Sequence, residues 1–160
     1  VLMHQGMGLD AYNALPMRRA VHAVYECCYS VLMSADLARS RPYADHESLF
    51  RQADALLFSL GEDSIDAVLQ AYPLIGCRWP DLPDVTARFD DALVRYRERF
   101  GFGFVMCTPT CDPTEVLDCI DGRLHNDTET ERKVVRNELA RINRVRLERM
   151  LGPEGGFYNW

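Results

Sequence analysis

Wherever apolar residues show a clear period in this chain, the spacing is the three-to-four-residue repeat of an α-helix. Leu49, Ala53, Leu56, Leu57 and Leu60 fall on one face, with Asp45 placed to cap that helix and Gly61 placed to end it. A second helix is expected after Asp63, carrying Ile65, Val68 and Leu69 and stopping before Pro73. Val85, Phe89, Ala92, Leu93, Tyr96 and Phe100 form a long stripe, and Gly101 is its natural stop. Asp112-Pro113-Thr114-Glu115 reads as a cap, a proline in the first turn and a capping glutamate. Thr128-Glu129-Thr130-Glu131 reads as a capping box. It opens a final helix that turns Val135, Leu139, Ile142, Leu147, Met150 and Leu151 inward. The stretch from Leu9 to Ala38 is also helix-rich, broken at Pro16. The pattern predicts one all-α domain of seven or eight helices over residues 1–151. A Gly-rich tail follows at 152–160, whose Phe157, Tyr158 and Trp160 either fray or dock on a partner subunit.

Composition narrows the chemistry. At 160 residues the chain can bury a core without staples. A net charge of −6 and a pI near 5.2 argue against broad binding to nucleic acid or an anionic membrane, which attract basic surfaces. No apolar run approaches the roughly 18 residues of a membrane span. Val1 to Gly8 lacks the pattern of a secretion signal, so a cytoplasmic location is expected. Lys133 is the sole lysine, and it lies in a polar stretch where an ammonium stays solvated, which disfavours Schiff-base chemistry. Neither a phosphate loop nor a dinucleotide fingerprint is present, so no cofactor is expected. Six cysteines (Cys27, Cys28, Cys77, Cys107, Cys111 and Cys119) include no Cys-x-x-Cys, and none pairs in spacing with His4, His22, His46 or His125. They read as reduced thiols that mostly fill the core, with no metal site.

The segment Phe100-Gly101-Phe102-Gly103-Phe104-Val105-Met106-Cys107 is unlike a surface helix. It is either a buried turn between helices or a place where glycines let backbone N–H groups approach a ligand. Several motifs around it occur together. They are Leu9-Asp10-Ala11-Tyr12-Asn13-Ala14-Leu15-Pro16, Arg41-Pro42-Tyr43, Tyr96-Arg97-Glu98-Arg99-Phe100-Gly101-Phe102-Gly103-Phe104, and Arg123-Leu124 with Asn126-Asp127, Glu129 and Glu131. The last is Glu138-Leu139-Ala140-Arg141-Ile142-Asn143-Arg144-Val145-Arg146-Leu147. Together they resemble the 2-oxo-4-hydroxy-4-carboxy-5-ureidoimidazoline (OHCU) decarboxylase family, the last enzyme of urate oxidation to allantoin. The resemblance covers most of the chain. It implies an all-α homodimer that works without metal or cofactor on a small-molecule substrate. Losing carbon dioxide leaves a carbanion delocalised into the substrate ring, so such a site must orient the carboxylate, stabilise the charge and deliver a proton.

The departures from the family pattern concern the acid/base and the substrate grip. Typical members use a histidine in His-Pro-x-x-Gly, and here the aligned run is Ala71-Tyr72-Pro73-Leu74-Ile75-Gly76. A Ser-x-x-Glu-Gln motif that grips the ureido group is missing. The shorter Cys77-Arg78-Trp79-Pro80-Asp81-Leu82-Pro83-Asp84 stands there instead, and Leu93 replaces the family's usual asparagine. An unperturbed phenol is a poor base at neutral pH but can donate a hydrogen bond or a proton. The resemblance therefore assigns catalytic roles to Tyr72 and Arg123. It assigns substrate contacts to Arg41, Pro73, Phe102, Gly103, Phe104, Val105 and Met106. An equal reading of Tyr72 is a filler of the old histidine space, and Arg123 either pairs with a substrate carboxylate or bonds to helix carbonyls. His46, a buried Glu26, Asp81, Asp84 and a nucleophilic Cys77 are further candidates; for Asp84 a cap for the following helix is an equal reading.

Three functions follow. One is a cofactor-independent lyase, isomerase or cyclase of this family, repurposed for another small carboxylate or enolisable substrate in bacterial specialised metabolism. The second is a genuine OHCU decarboxylase forming S-allantoin. The third is a catalytically dead small-molecule-binding or scaffold dimer.

Overall fold

In the computed structural model, residues 5–153 are described. They form eight helices: α1 (Leu9–Ala14), α2 (Met17–Cys28), α3 (Val31–Arg39), α4 (His46–Ser59), α5 (Glu62–Ala71), α6 (Pro83–Phe100), α7 (Pro113–Arg123) and α8 (Thr128–Leu151). The chain is all-α, as its periodicity predicts. Phe157, Tyr158 and Trp160 lie outside the described residues. Among the described residues, no helix is long and apolar enough to cross a membrane.

Most boundaries follow the local chemistry. Asp45 Oδ1 accepts from Ser48 N–H at 2.7 Å, and Asp112 Oδ1 accepts from Glu115 N–H at 2.9 Å. Gly101 ends α6 in the left-handed region, with φ 83°. The turn between α2 and α3 was not expected. Tyr29 adopts φ 55°, and Ser30 caps α3 by accepting from Met33 N–H at 3.1 Å. At the start of α8 the capping group is Asp127, whose Oδ1 accepts from Thr130 N–H at 2.7 Å, in place of the expected Thr128 box. Asp84 is not the cap of α6: Leu82 holds that position, Pro83 opens the helix and Asp84 sits in its first turn. Near Gly61, α4 stops at Ser59 with Leu60 as its cap.

Packing divides the chain into two compact units, residues 1–68 with 140–160 and residues 69–139. In the first, α3 packs against α2 and α4. Tyr12, Val24, Met33, Leu37, Leu49, Leu57, Leu147 and Met150 make its core. The last four carbonyls of α8 all find donors. Gly152 N–H bonds to Glu148 O at 2.8 Å, and the N–H groups of Gly6, Met7 and Gly8 bond to Arg149, Met150 and Leu151 at 2.8, 2.9 and 2.8 Å. Arg41-Pro42-Tyr43 pins the end of α1. Arg41 Nη1 donates to Tyr12 O at 2.8 Å and Leu15 O at 2.7 Å, and Nε donates to Ala38 O at 2.8 Å. Asn13 exchanges two 2.9 Å bonds with the Tyr43 backbone, and Tyr43 OH donates to Leu37 O at 2.6 Å.

In the second unit, α6 packs on α7, with Phe89, Ala92, Tyr96, Val116, Ile120, Val135 and Leu139 buried. The cysteines are not all reduced, contrary to expectation. Cys77 and Cys111 form a disulfide with their Cα atoms 5.5 Å apart, a pairing across 34 positions that no local spacing announces. Trp79 Nε1 donates to Cys111 O at 2.8 Å beside it. Cys27, Cys28, Cys107 and Cys119 are free thiols, the first two buried as core filler.

Two outcomes test this unit-level account. Arg41→Ala, which strands several helix-end carbonyls, should lower unfolding free energy by about 2 kcal/mol in a urea titration. Burial pushes the Cys27 thiol up to about 12 from an ordinary value of 9.0. The unfolded chain then releases this proton first as pH rises, so the associated stability is full below pH 9 and is lost between 9 and 12. Cys27→Ala should flatten the fall of stability over that window by about 1.4 kcal/mol per pH unit.

Candidate active site

Within the second unit, the sequence motifs converge on a buried ion pair. Arg123, on the last turn of α7, is paired with Glu131 on the first turns of α8. Arg123 Nε and Nη2 lie 2.8 and 2.6 Å from Glu131 Oε1, and both side chains are almost wholly buried. Tyr96 OH donates to the same oxygen at 2.5 Å, and Asn126 Nδ2 donates to Oε2 at 3.0 Å. Burial opposes charge on Arg123, but the hydrogen bond it donates to Glu131 and the neighbouring Tyr96 outweigh that and hold the guanidinium above its ordinary value. Tyr96 is pushed far up, first by burial and then by its bond to Glu131, so it remains a neutral donor.

This pair fixes the apolar glycine segment. Arg123 Nη1 donates to Val105 O at 2.7 Å, and its guanidinium carbon lies 4.4 Å from the Phe104 ring centroid. Tyr96 is ringed by Phe100, Phe102 and Phe104 at centroid distances of 4.8, 6.0 and 5.2 Å. At the far end, Cys107 N–H donates to Glu138 Oε2 at 2.7 Å. Among the described residues, no backbone N–H from Phe102 to Met106 donates to another protein group. These groups form a run of donors on a segment held at both ends, and such a run suits an anionic ligand. At Gly103, an added Cβ would meet only Arg97 Nη2, at an ordinary 3.5 Å, so the protein's own packing does not demand glycine there.

The structure places the expected site residues unevenly. Phe102, Gly103, Phe104, Val105 and Met106 share one segment with Arg123 beneath it. Arg123 is not poised for a substrate carboxylate, because Glu131 already neutralises it, nor does it cap a helix; it positions the segment. Arg41 is committed to helix-end carbonyls in the first unit, which corrects its assignment as a substrate contact. Tyr72 is buried just beyond the end of α5, whereas Pro73 is exposed. Cys77 is disulfide-bonded and is not a nucleophile. Asp81 is exposed. Glu26 is half-buried and paired with His22 at 3.2 Å. His46 lies in the first unit against Phe50 and lines an open cleft there with Glu47, Arg144 and Glu148. Lys133 is exposed and bonded to Glu129 at 3.0 Å. Sequence reasoning missed Glu131, Tyr96 and Glu138 as partners. The available signal was a tyrosine on the buried stripe of α6 and a glutamate in the first turn of α8, close in sequence to Arg123 at the end of α7.

The described residues form an all-α fold in which this segment joins α6 to α7. Residues 13–148 match the family model described as OHCU decarboxylase, and the chain belongs to that family. It is 26% identical over 141 residues to the mouse (Mus musculus) 2-oxo-4-hydroxy-4-carboxy-5-ureidoimidazoline decarboxylase, covering 76% of this chain and 79% of that protein. It is 24% identical over 125 residues to the uric acid degradation bifunctional protein of Bacillus sp. (strain TB-90), covering 68% of this chain. A 62-residue match to the Amia calva decarboxylase is 36% identical and covers 39% of this chain. The chain spans 25% of the length of the Bacillus relative and 35% of the Amia calva one. Crystal structures of an (S)-allantoin synthase and of an OHCU decarboxylase in the presence of (S)-allantoin share the fold. Their TM-scores are 0.79 and 0.71, at 17% and 20% identity, covering 91% and 79% of this chain and 54% and 95% of theirs.

The ion pair gives a direct prediction. Glu131→Gln leaves a buried guanidinium without its counter-charge and should cost about 3–5 kcal/mol of stability. Tyr96→Phe, which leaves Glu131 two other donors, should cost about 1 kcal/mol. Urea denaturation of the two variants checks the order.

Proposed function

We propose that this protein is a cofactor-independent enzyme of the OHCU decarboxylase family that acts on a small carboxylate other than the ureidoimidazoline. The observation that carries the reading is the run of backbone N–H groups from Phe102 to Met106, held by Arg123 and Glu138 and engaged by no acceptor among the described residues. Fixed donors of this kind stabilise negative charge as it develops, without reorganisation during the reaction. Decarboxylation or enolisation beside a carbonyl develops that charge. Tyr72, at the position of the family's histidine, serves as hydrogen-bond or proton donor to the intermediate. The change of substrate is supported by what the chain offers in place of the Glu-Gln grip. Trp79 is buried with its indole N–H given to Cys111 O, and Arg78 extends toward Asp90 at 3.8 Å. Neither is a carboxylate–amide pair suited to a ureido group, and loss of such contacts weakens recognition strongly.

Genuine OHCU decarboxylation is the second reading, favoured by the names of the mouse and Amia calva relatives. Circular dichroism of urate turnover separates the two, with urate oxidase and hydroxyisourate hydrolase generating the substrate in place. The expected trace shows formation of optically active allantoin at least about 10²-fold slower than with a histidine-bearing family member. A comparable rate would establish the second reading. Binding of small oxo-carboxylates, followed by calorimetry, tests the N–H run itself. Gly103→Ala should leave stability within about 1 kcal/mol of the parent, given its unstrained room, and weaken binding at least tenfold. Unchanged binding would return the segment to a plain buried turn.

A further inference from the structure

The stretch between α5 and α6, residues 72–82, alternates between anchors and free chain. Tyr72, Cys77 and Trp79 are buried, while Pro73, Leu74, Gly76, Arg78 and Pro80 are exposed, Leu74 at 70%. Among the described residues, 73–78 make no backbone–backbone hydrogen bond. Two links therefore join this stretch to the segment that follows the N–H run: the Cys77–Cys111 disulfide and the Trp79 Nε1–H bond to Cys111 O. Trp79 is held further by Thr86, whose Oγ1 accepts from Trp79 N–H at 3.2 Å and donates to Trp79 O at 3.1 Å. Cys111 itself sits at φ 48°, a left-handed conformation uncommon for a residue with a side chain, next to the cap of α7. The covalent link closes a loop that contains all of α6 and the Phe102–Met106 segment.

We propose that Cys77–Cys111 is a redox modification site, a latch that holds loop 73–80 beside Tyr72 when oxidised and frees it when a dithiol reduces it. The two sulfurs differ in access. Cys77 is 2% exposed, whereas Cys111 is half-buried. A thiolate of the reducing dithiol attacks Sγ of Cys111, forming a mixed disulfide and expelling the Cys77 thiolate, which takes a proton. The second thiol of the reductant then attacks its own sulfur in the mixed disulfide and releases the Cys111 thiolate. Two electrons pass to the protein and the reductant leaves as its cyclic disulfide. Cys107 and Cys119 remain free thiols in the same unit, so the pairing is selective. The helices keep their own ladders, and α7 is capped by the Asp112 side chain. The significance of the latch for catalysis rests on the function proposed above, but its operation is read without any ligand.

The test uses the full chain carrying Trp160→Phe, which leaves Trp79 as the only tryptophan. Dithiothreitol titration is followed by Trp79 emission, far-ultraviolet circular dichroism and trypsin cleavage after Arg78, with all samples reduced before analysis of the 1–78 fragment. The expected result is a red shift of Trp79 and at least tenfold faster cleavage at Arg78, with helicity retained and both changes reversed on reoxidation. A Cys77→Ser/Cys111→Ser variant should behave as the reduced form without reductant. An unchanged cleavage rate would overturn the latch. So would helix loss that accompanies loop release, which would make the link a plain structural staple, or alkylation of all six cysteines before reduction. Failure to bind any carboxylate would instead count against the proposed function and leave these readouts intact.

Discussion

A single buried guanidinium–carboxylate pair organises the second unit. Glu131 Oε1 receives Arg123 and Tyr96, and Oε2 receives Asn126. Through these bonds α6, α7, α8 and the turn between the last two meet at one carboxylate. Desolvating two charges costs several kcal/mol each, and the pair is tolerable because nearly every polar atom finds a partner. The same requirement makes it specific. A side chain that failed to complete the set would leave a bare charge in the core. The fifth participant, Val105 O, is how this constraint reaches the candidate site, because the carbonyl bound by Arg123 Nη1 belongs to the segment that presents the N–H run.

The first unit solves a similar problem with a different acceptor. Arg41 gathers the carbonyls of Tyr12, Leu15 and Ala38, which helix ends leave without intrahelical donors. In both units the guanidinium binds two or three acceptors at fixed angles. A lysine ammonium, a compact and strongly hydrated charge on a flexible stem, cannot reproduce that fork. This gives a physical reason for arginine at these two motif positions in a chain that has only one lysine.

Much of the fold was legible because it is locally encoded. Asp45, Asp112 and Gly101 announce helix ends through short-range chemistry, and the stripe from Phe89 to Phe100 announces a buried face. The misreadings share a different cause. Arg123 and Glu131 stand eight positions apart across a helix end, and Thr128-Glu129-Thr130-Glu131 fits a capping box equally well. Only packing decides that Glu131 turns inward and Asp127 caps. Cys77 and Cys111 are separated by a whole helix, so the chain's order does not bring them together on paper. Motif matching located the segments that matter, but it assigned Arg41 and Arg123 to a ligand because spacing does not reveal which acceptors a buried arginine already has.

That reassignment changes the electrostatics available to the proposed chemistry. Arg123 is neutralised by Glu131, and the donors of Arg41 are bonded to helix-end carbonyls in the first unit. What lies at the segment is the set of N–H dipoles from Phe102 to Met106, with Arg97 Nη2 3.5 Å from where a Gly103 Cβ would stand. Dipoles of this kind favour charge that is localised on one oxygen within hydrogen-bond reach more than charge spread over a ring. They also act most strongly where water is excluded and the local dielectric is low. Under the proposed function, a substrate whose intermediate concentrates charge on a single enolate oxygen is expected to suit such donors better than one that delocalises it into a polar ring.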